Sequence, residues 1–200
     1  MKTKRQLVVA LAALSLTIPL THANATLFDY EAVLSGPNES PPNASPGTGL
    51  AFVNYDNVAH TLQVEFTFSG LTGTTTASHI HAATASPGTG TAGVATTTPF
   101  FAGFPTGVTS GSYSNTLDLT LTSSYNPSYV TANGGTTAGA EAALAAALAA
   151  DEAYLNIHTS TFGGGEIRGF LVLVPEPSTT AVLGIGALTW VWNKRRRKAA

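Results

Sequence analysis

Three of the five histidines in this 200-residue chain fall in two short patterns suited to metal chemistry. Ser78-His79-Ile80-His81 sets two imidazoles two residues apart. Side chains on a strand alternate between faces, and residues i and i+2 stand about 7 Å apart on one of them. His79 and His81 therefore project together while Ile80 turns to a core. The stretch 153–171, AYLNIHTSTFGGGEIRGFL, repeats the design. It reads as a strand over 154–159, a turn at Gly163-Gly164-Gly165, and a second strand over 166–173. Alternation assigns Leu155, Ile157 and Ile167 to the core and Asn156, His158, Glu166 and Arg168 to the opposite face. With these strands as neighbours, three imidazoles, a carboxylate and a guanidinium gather on one outer sheet face.

Two chemistries follow from that gathering. His79, His81 and His158 with an open position suit Zn²⁺ or Cu²⁺, and Glu166 is the candidate fourth ligand. Alternatively the groups form a structural polar network. In that case His79 or His81 bonds Asn156 or His158 across the sheet, and Arg168 pairs with Glu166 or Glu39, which fixes strand register. Catalysis has no named residue. No Ser-His-Asp order or nucleophile elbow is present, and no two carboxylates can be placed across a cleft. The chain has no cysteine, which excludes thiol catalysis, thiolate-bound metal and disulfide staples. The expectation is a non-enzymatic module that needs no cofactor, with Zn or Cu as the one the metal reading would add.

Charge narrows the partners. Arg168 is the sole lysine or arginine between residues 26 and 173, a region that holds ten acids, for a net charge of about −9 with neutral histidines. Such a domain repels nucleic acid, anionic lipid and polyanionic glycans, and attracts cations. A neutral exopolysaccharide remains a possible partner.

The elements that would position the site are short strands. Residues 27–35 form the first, with Phe28, Tyr30, Ala32 and Leu34 on one face. The loop Gly36-Pro37-Asn38-Glu39-Ser40-Pro41-Pro42 ends it, since prolines cannot continue a ladder. A second strand runs from Thr48 to Tyr55. A third, in a hairpin with it, carries Leu62, Val64, Phe66 and Phe68 in alternation with Gln63, Glu65 and Thr67. The His79–His81 strand spans 74–82. Further strands are expected over 94–101 and along Leu117, Leu119 and Leu121. Residues 138–150, nearly all alanine and leucine, are the one helical pattern, with Leu144 and Leu148 packing it onto the sheet. Seven or eight short strands and one short Ala-rich helix indicate an all-β fold, an antiparallel β-sandwich of Greek-key or immunoglobulin-like type.

The two ends of the chain are processing signals. Lys2, Lys4 and Arg5 precede the apolar run 7–20, and Ala23-Asn24-Ala25 offers a small-residue cleavage site. Residues 1–25 thus read as a secretory signal peptide cut after Ala25. At the other end, Pro175-Glu176-Pro177 precedes an apolar run over 181–192 and the basic cluster Lys194-Arg195-Arg196-Arg197-Lys198. That run is short beside the roughly 20 residues of a usual spanning helix. Trp190 and Trp192 mark its basic, cytoplasmic end. Residues 174–198 resemble the PEP-CTERM sorting signal of Gram-negative bacteria. The resemblance implies a transient inner-membrane anchor helix, recognition by an exosortase-type enzyme, cleavage near Pro175-Glu176-Pro177, and delivery to the cell surface or extracellular matrix.

Residues 26–173 resemble a CHRD domain, the module named for its repeats in chordin. The landmarks are Leu34 to Pro42, Gly47-Thr48-Gly49, Phe68-Ser69-Gly70-Leu71, Ala77 to His81, Tyr154 to Thr159, and Gly164 to Gly169, in family order. Residues 100–135 carry none. The resemblance implies an all-β extracellular module with no assigned enzyme activity. The His-x-His pair also resembles the copper strand of Cu/Zn superoxide dismutases, to a depth of two residues. The expected function is that of an exported, surface-sorted structural or binding component of the envelope or exopolysaccharide matrix. The alternative is a metal-binding protein, with a redox role in reach, that uses His79, His81 and His158.

Overall fold

A computed structural model describes residues 27–175. The expected signal peptide, with Ala23 and Ala25, lies outside them, as do Glu176, Pro177 and the expected anchor helix.

Eight antiparallel strands make the domain: β1 (Leu27–Ser35), β2 (Thr48–Asp56), β3 (Thr61–Ser69), β4 (Thr75–His81), β5 (Gly111–Asp118), β6 (Tyr154–Thr159), β7 (Ile167–Phe170) and β8 (Val172–Leu173). They form one continuous sheet in the order β4-β6-β7-β1-β2-β3-β5, with β8 also paired to β1. The fold is all-β, as expected. The expectation of two separate sheets gives way to a single sheet that curls on itself. Ile80, Leu155, Ile157 and Ile167 from one half lie in the same buried core as Leu62, Val64, Phe66 and Phe68 from the other. A large twisted sheet commonly curls in this way to bury both halves.

β7 meets β1 at a narrow seam, where only Ser35 and Arg168 pair. Gly169 makes the close approach possible. A Cβ there would sit 2.4 Å from the Val33 carbonyl oxygen and 2.9 Å from its carbon. An aromatic cluster fills the other half. The Phe66 ring lies 5.2 Å from Tyr113 and 5.9 Å from Phe104, and Phe101 stacks on Tyr113 at 5.4 Å.

β1 and β3 follow the alternation read from the sequence. Tyr30, Ala32 and Leu34 are buried on β1, and Leu62, Val64, Phe66 and Phe68 on β3. β2 and β3 pair in register from Thr48↔Ser69 to Asp56↔Thr61. The later elements differ. Residues 94–101 form only isolated bridges, at Val94 and Thr96, rather than a strand. β5 stops at Asp118, where the carboxylate accepts from the Thr120 amide and turns the chain, so Leu121 is left exposed. The expected strand over 166–173 breaks into β7 and β8 at the buried Leu171.

Two helices join β5 to β6, where one was expected: α1 (Pro127–Ala132) and α2 (Thr137–Ala149). Asn126 caps α1 through the Ser128 amide, with Pro127 in the first turn, where a missing N–H does no harm. Thr136 caps α2 through the Gly139 amide. α2 buries Ala140, Leu144, Ala147 and Leu148 against the core, so Leu144 and Leu148 pack as expected.

Gly169→Ala tests the seam. The added methyl meets backbone, which cannot yield as a side chain would. The variant is expected to lose about 1–3 kcal/mol or more of stability, read as a lower midpoint in urea unfolding.

Candidate metal centre

The site rests on the register of three strands. β4 pairs with β6 as Ala77↔His158, His79↔Asn156 and His81↔Tyr154. β6 pairs with β7 as Tyr154↔Phe170 and Asn156↔Arg168. Directly opposed residues share a face, so His79, Asn156 and Arg168 form one row, with His81, Tyr154 and Phe170 beside it. His158 stands opposite Ala77, whose small side chain lets the imidazole lean toward its neighbours. Ring centroids are 5.2 Å apart for His79–His158, 5.7 Å for His79–His81 and 6.2 Å for His81–His158. One ring nitrogen from each histidine lies within 4.8 Å of the other two.

Each ring is fixed by a backbone carbonyl. His79 Nε2 lies 2.6 Å from Pro99 O, His81 Nδ1 2.9 Å from Ala92 O, and His158 Nδ1 2.9 Å from Gly163 O. A carbonyl only accepts, so each of these nitrogens carries the proton. That leaves lone pairs on His79 Nδ1, His81 Nε2 and His158 Nε2. His79 Nδ1 and His158 Nε2 are buried and have no hydrogen-bond partner. His81 Nε2 lies 3.1 Å from Asn156 Oδ1; with Nδ1 donating to Ala92 O this sets two acceptors face to face, which turning the amide over relieves by placing its NH₂ against the lone pair. Metal-binding histidines characteristically donate their second N–H in this way, which sets tautomer and ring orientation.

The face is not the open outer surface expected from the sequence. The segment after β4 folds back along its edge, through Ala82 N to Gly93 O, Ala95 N to Ile80 O, and Phe101 N to Ser78 O. It carries the Ala92 and Pro99 carbonyls onto the site, and His79 and His81 are only 6% and 8% exposed. Burial pushes the His79 pKa down to about 4, against the Pro99 hydrogen bond. Burial also lowers His81 and His158. The three imidazoles are therefore neutral and able to coordinate without first losing a proton.

Glu166 does not join them, contrary to the alternation reading. Gly165, at φ 131°, turns the chain just before β7 begins, so Glu166 falls outside the strand's parity. Its carboxylate accepts from Ser45 Oγ at 2.6 Å, Thr159 Oγ1 at 2.6 Å, Gly73 N at 3.1 Å and the Thr72 amide. Burial favours its neutral form, but these donors outweigh it and hold the pKa below the usual range. Glu166 is thus a structural clasp between β6 and the loops at 45 and 72–73.

Arg168 clamps the other side. Nε donates to Asn38 O and Nη1 to Gly90 O, the latter at 2.9 Å. Its guanidinium lies 4.7 Å from the centre of the Tyr154 ring and 5.5 Å from that of Phe170. Tyr154 in turn stacks on His81 at 4.8 Å. Of the two carboxylates considered for Arg168, Glu39 is the neighbour, with Oε2 3.9 Å from Nε. The Glu39 Oε1 atom is buried without a partner and packs where a Cβ on Gly165 would stand. Burial outweighs Arg168 and raises the Glu39 pKa to about 7.

A second polar cluster gave no readable signal in the sequence. Glu141 of α2 accepts from Tyr55 Oη at 3.0 Å and pairs with His60 Nδ1 at 2.9 Å. His60 sits in the β2–β3 turn at φ 54°, so no strand alternation assigns it a face.

A curled, all-β module with a cluster of three histidines, two buried and one half-buried, is what the fold and site define. Residues 30–171 match the family model of the CHRD domain, and the chain belongs to that family. Residues 173–197 match the PEP-CTERM protein-sorting motif, which implies export and exosortase-type processing at a membrane before surface display. Neither the curated proteins nor the solved structures gave a match.

Glu39 makes a pH prediction. A carboxyl raised from 4.5 to about 7 binds more protons folded than unfolded. Its contribution to stability is complete below about pH 4.5 and is lost as pH rises to about 7, by up to ~3 kcal/mol. Glu39→Gln should be as stable as the parent at pH 4.5 and more stable at pH 8. A parent and variant with equal unfolding midpoints at both pH values would contradict the assignment.

Proposed function

We propose that this chain is an exported, exosortase-sorted surface protein whose CHRD domain binds one first-row transition metal, Zn or Cu, through His79, His81 and His158. The observation that carries the reading is a cluster of three imidazoles, each offering one ring nitrogen within 4.8 Å of the others and each held through one nitrogen by a backbone carbonyl, which leaves the other nitrogen's lone pair to bind. Two of these free nitrogens are buried without a partner. A purely structural histidine would use both nitrogens, because an unmet buried acceptor costs about 1–3 kcal/mol. An acidic domain further concentrates cations around the site. The protein is read as non-enzymatic and as a component of the surface or extracellular matrix of a Gram-negative bacterium.

A structural role for the same side chains is the second reading. It is favoured by the His81–Asn156 contact and by the Arg168 clamp. In that case surface function would lie elsewhere, for instance in retention on a neutral exopolysaccharide.

Metal analysis of the domain spanning 26–173, purified without a histidine tag, separates the two. The metal reading expects about one Zn or Cu per chain. It also expects His79→Ala/His81→Ala to abolish binding while the far-ultraviolet circular dichroism stays that of a β-protein. If that variant unfolds, His158→Ala at the more exposed third ligand should lose metal and keep the fold. A folded parent that takes up no added Zn or Cu would overturn the metal reading.

A further inference from the structure

We propose that the three-histidine site is built for a three-coordinate monovalent ion, Cu(I), and holds it in preference to Zn(II). This rests on the reading of the site as a metal centre.

The first argument is the donor set. Among the described residues the cluster contains three histidines and no carboxylate. Glu166 is engaged by four donors on the other side of the strand, and Glu39 faces Arg168. The chain has no thiol to offer. Asn156 stands near His81 Nε2, but a neutral amide oxygen is a weak ligand for either ion. Structural Zn sites are almost always four-coordinate, and three-ligand Zn sites keep an open position for water.

The second argument is enclosure. His79 Nδ1 and His158 Nε2 are sealed from solvent by protein atoms. Clefts of the domain lie over β1, β2 and β3, beside Glu39 and Arg168, and between Thr97 and Tyr125, and none of these is lined by a histidine. With His79 Nδ1 and His158 Nε2 both covered by protein atoms, a fourth, exogenous ligand finds no open position beside them. Three imidazoles complete the shell of Cu(I) and leave Zn(II) one ligand short.

Charge gives the third argument. The ligands are neutral, no carboxylate of the cluster compensates the ion, and the Arg168 guanidinium, stacked behind Tyr154, adds positive charge on that side. The cost of burying an ion rises with the square of its charge, so Cu(I) costs about a quarter of what a divalent ion of that size does. Soft ligands are the usual selectors for Cu(I). Here coordination number and charge do the selecting. Spacing agrees as well. Three nitrogens about 2.0 Å from an in-plane ion stand about 3.5 Å apart, so ring nitrogens now within 4.8 Å of one another close by about 1 Å at most.

The test is an anaerobic competition on the metal-free, untagged 26–173 domain, with Cu(I) buffered by a chromophoric chelator and Zn(II) titrated against it. One Cu(I) per chain is expected, bound at least ~100-fold more tightly than Zn(II). X-ray absorption of the copper form should give three nitrogen scatterers and no fourth. Zn(II) binding as tight as Cu(I), or a fourth light scatterer on copper, overturns this proposal and leaves the metal centre standing. Retention of neither ion overturns both.

Discussion

The site depends on one constraint, the burial of Ile80, Leu155, Ile157 and Ile167 in a shared core. All four are fully buried. Each such side chain contributes about 1.5–3 kcal/mol by leaving water. Because the strand period is two, a slip of one residue would turn all of them outward. With that face committed, His79, His81, Asn156, His158 and Arg168 have only the opposite face to occupy. The polar cluster is the obligatory reverse of a hydrophobic row.

What turns that row into a site is backbone. The segment that returns along the edge of β4 supplies the Ala92 and Pro99 carbonyls, and the hairpin after β6 supplies Gly163. These groups seal the face and choose one tautomer for each ring. Arg168 secures the surroundings by holding Asn38 of one loop and Gly90 of another, and by bracing the Tyr154 ring against His81. Arg168 thus ties the Asn38 loop to the Gly90 segment, which leads into the Ala92 carbonyl on His81.

Much of this was legible in the sequence. Alternation placed the buried residues of β1 and β3 and the shared face of the three histidines, because each depends on a period that local sequence displays, while the helix carrying Leu144 and Leu148 was read from its run of alanine and leucine. Alternation failed at Glu166, where Gly165 at φ 131° ends the strand geometry one residue early. It also failed over 94–101, whose residues follow the β4 edge through scattered backbone bonds and not a regular ladder. The single curled sheet was hidden because it depends on the one-pair seam at Ser35 and Arg168 and on the bare α-carbon of Gly169. Neither leaves a mark in hydrophobic pattern. The Glu141–His60–Tyr55 cluster was hidden for a similar reason, since it joins a helix to a turn across more than 80 residues of sequence.

The most direct test of the central claim is anomalous X-ray diffraction from crystals of the metal-loaded domain, recorded on either side of the absorption edge of the loaded ion. The account predicts one strong anomalous peak among His79 Nδ1, His81 Nε2 and His158 Nε2, about 2 Å from each. A peak at the acidic surface only, or coordination through the nitrogens that face Pro99, Ala92 and Gly163, would contradict it.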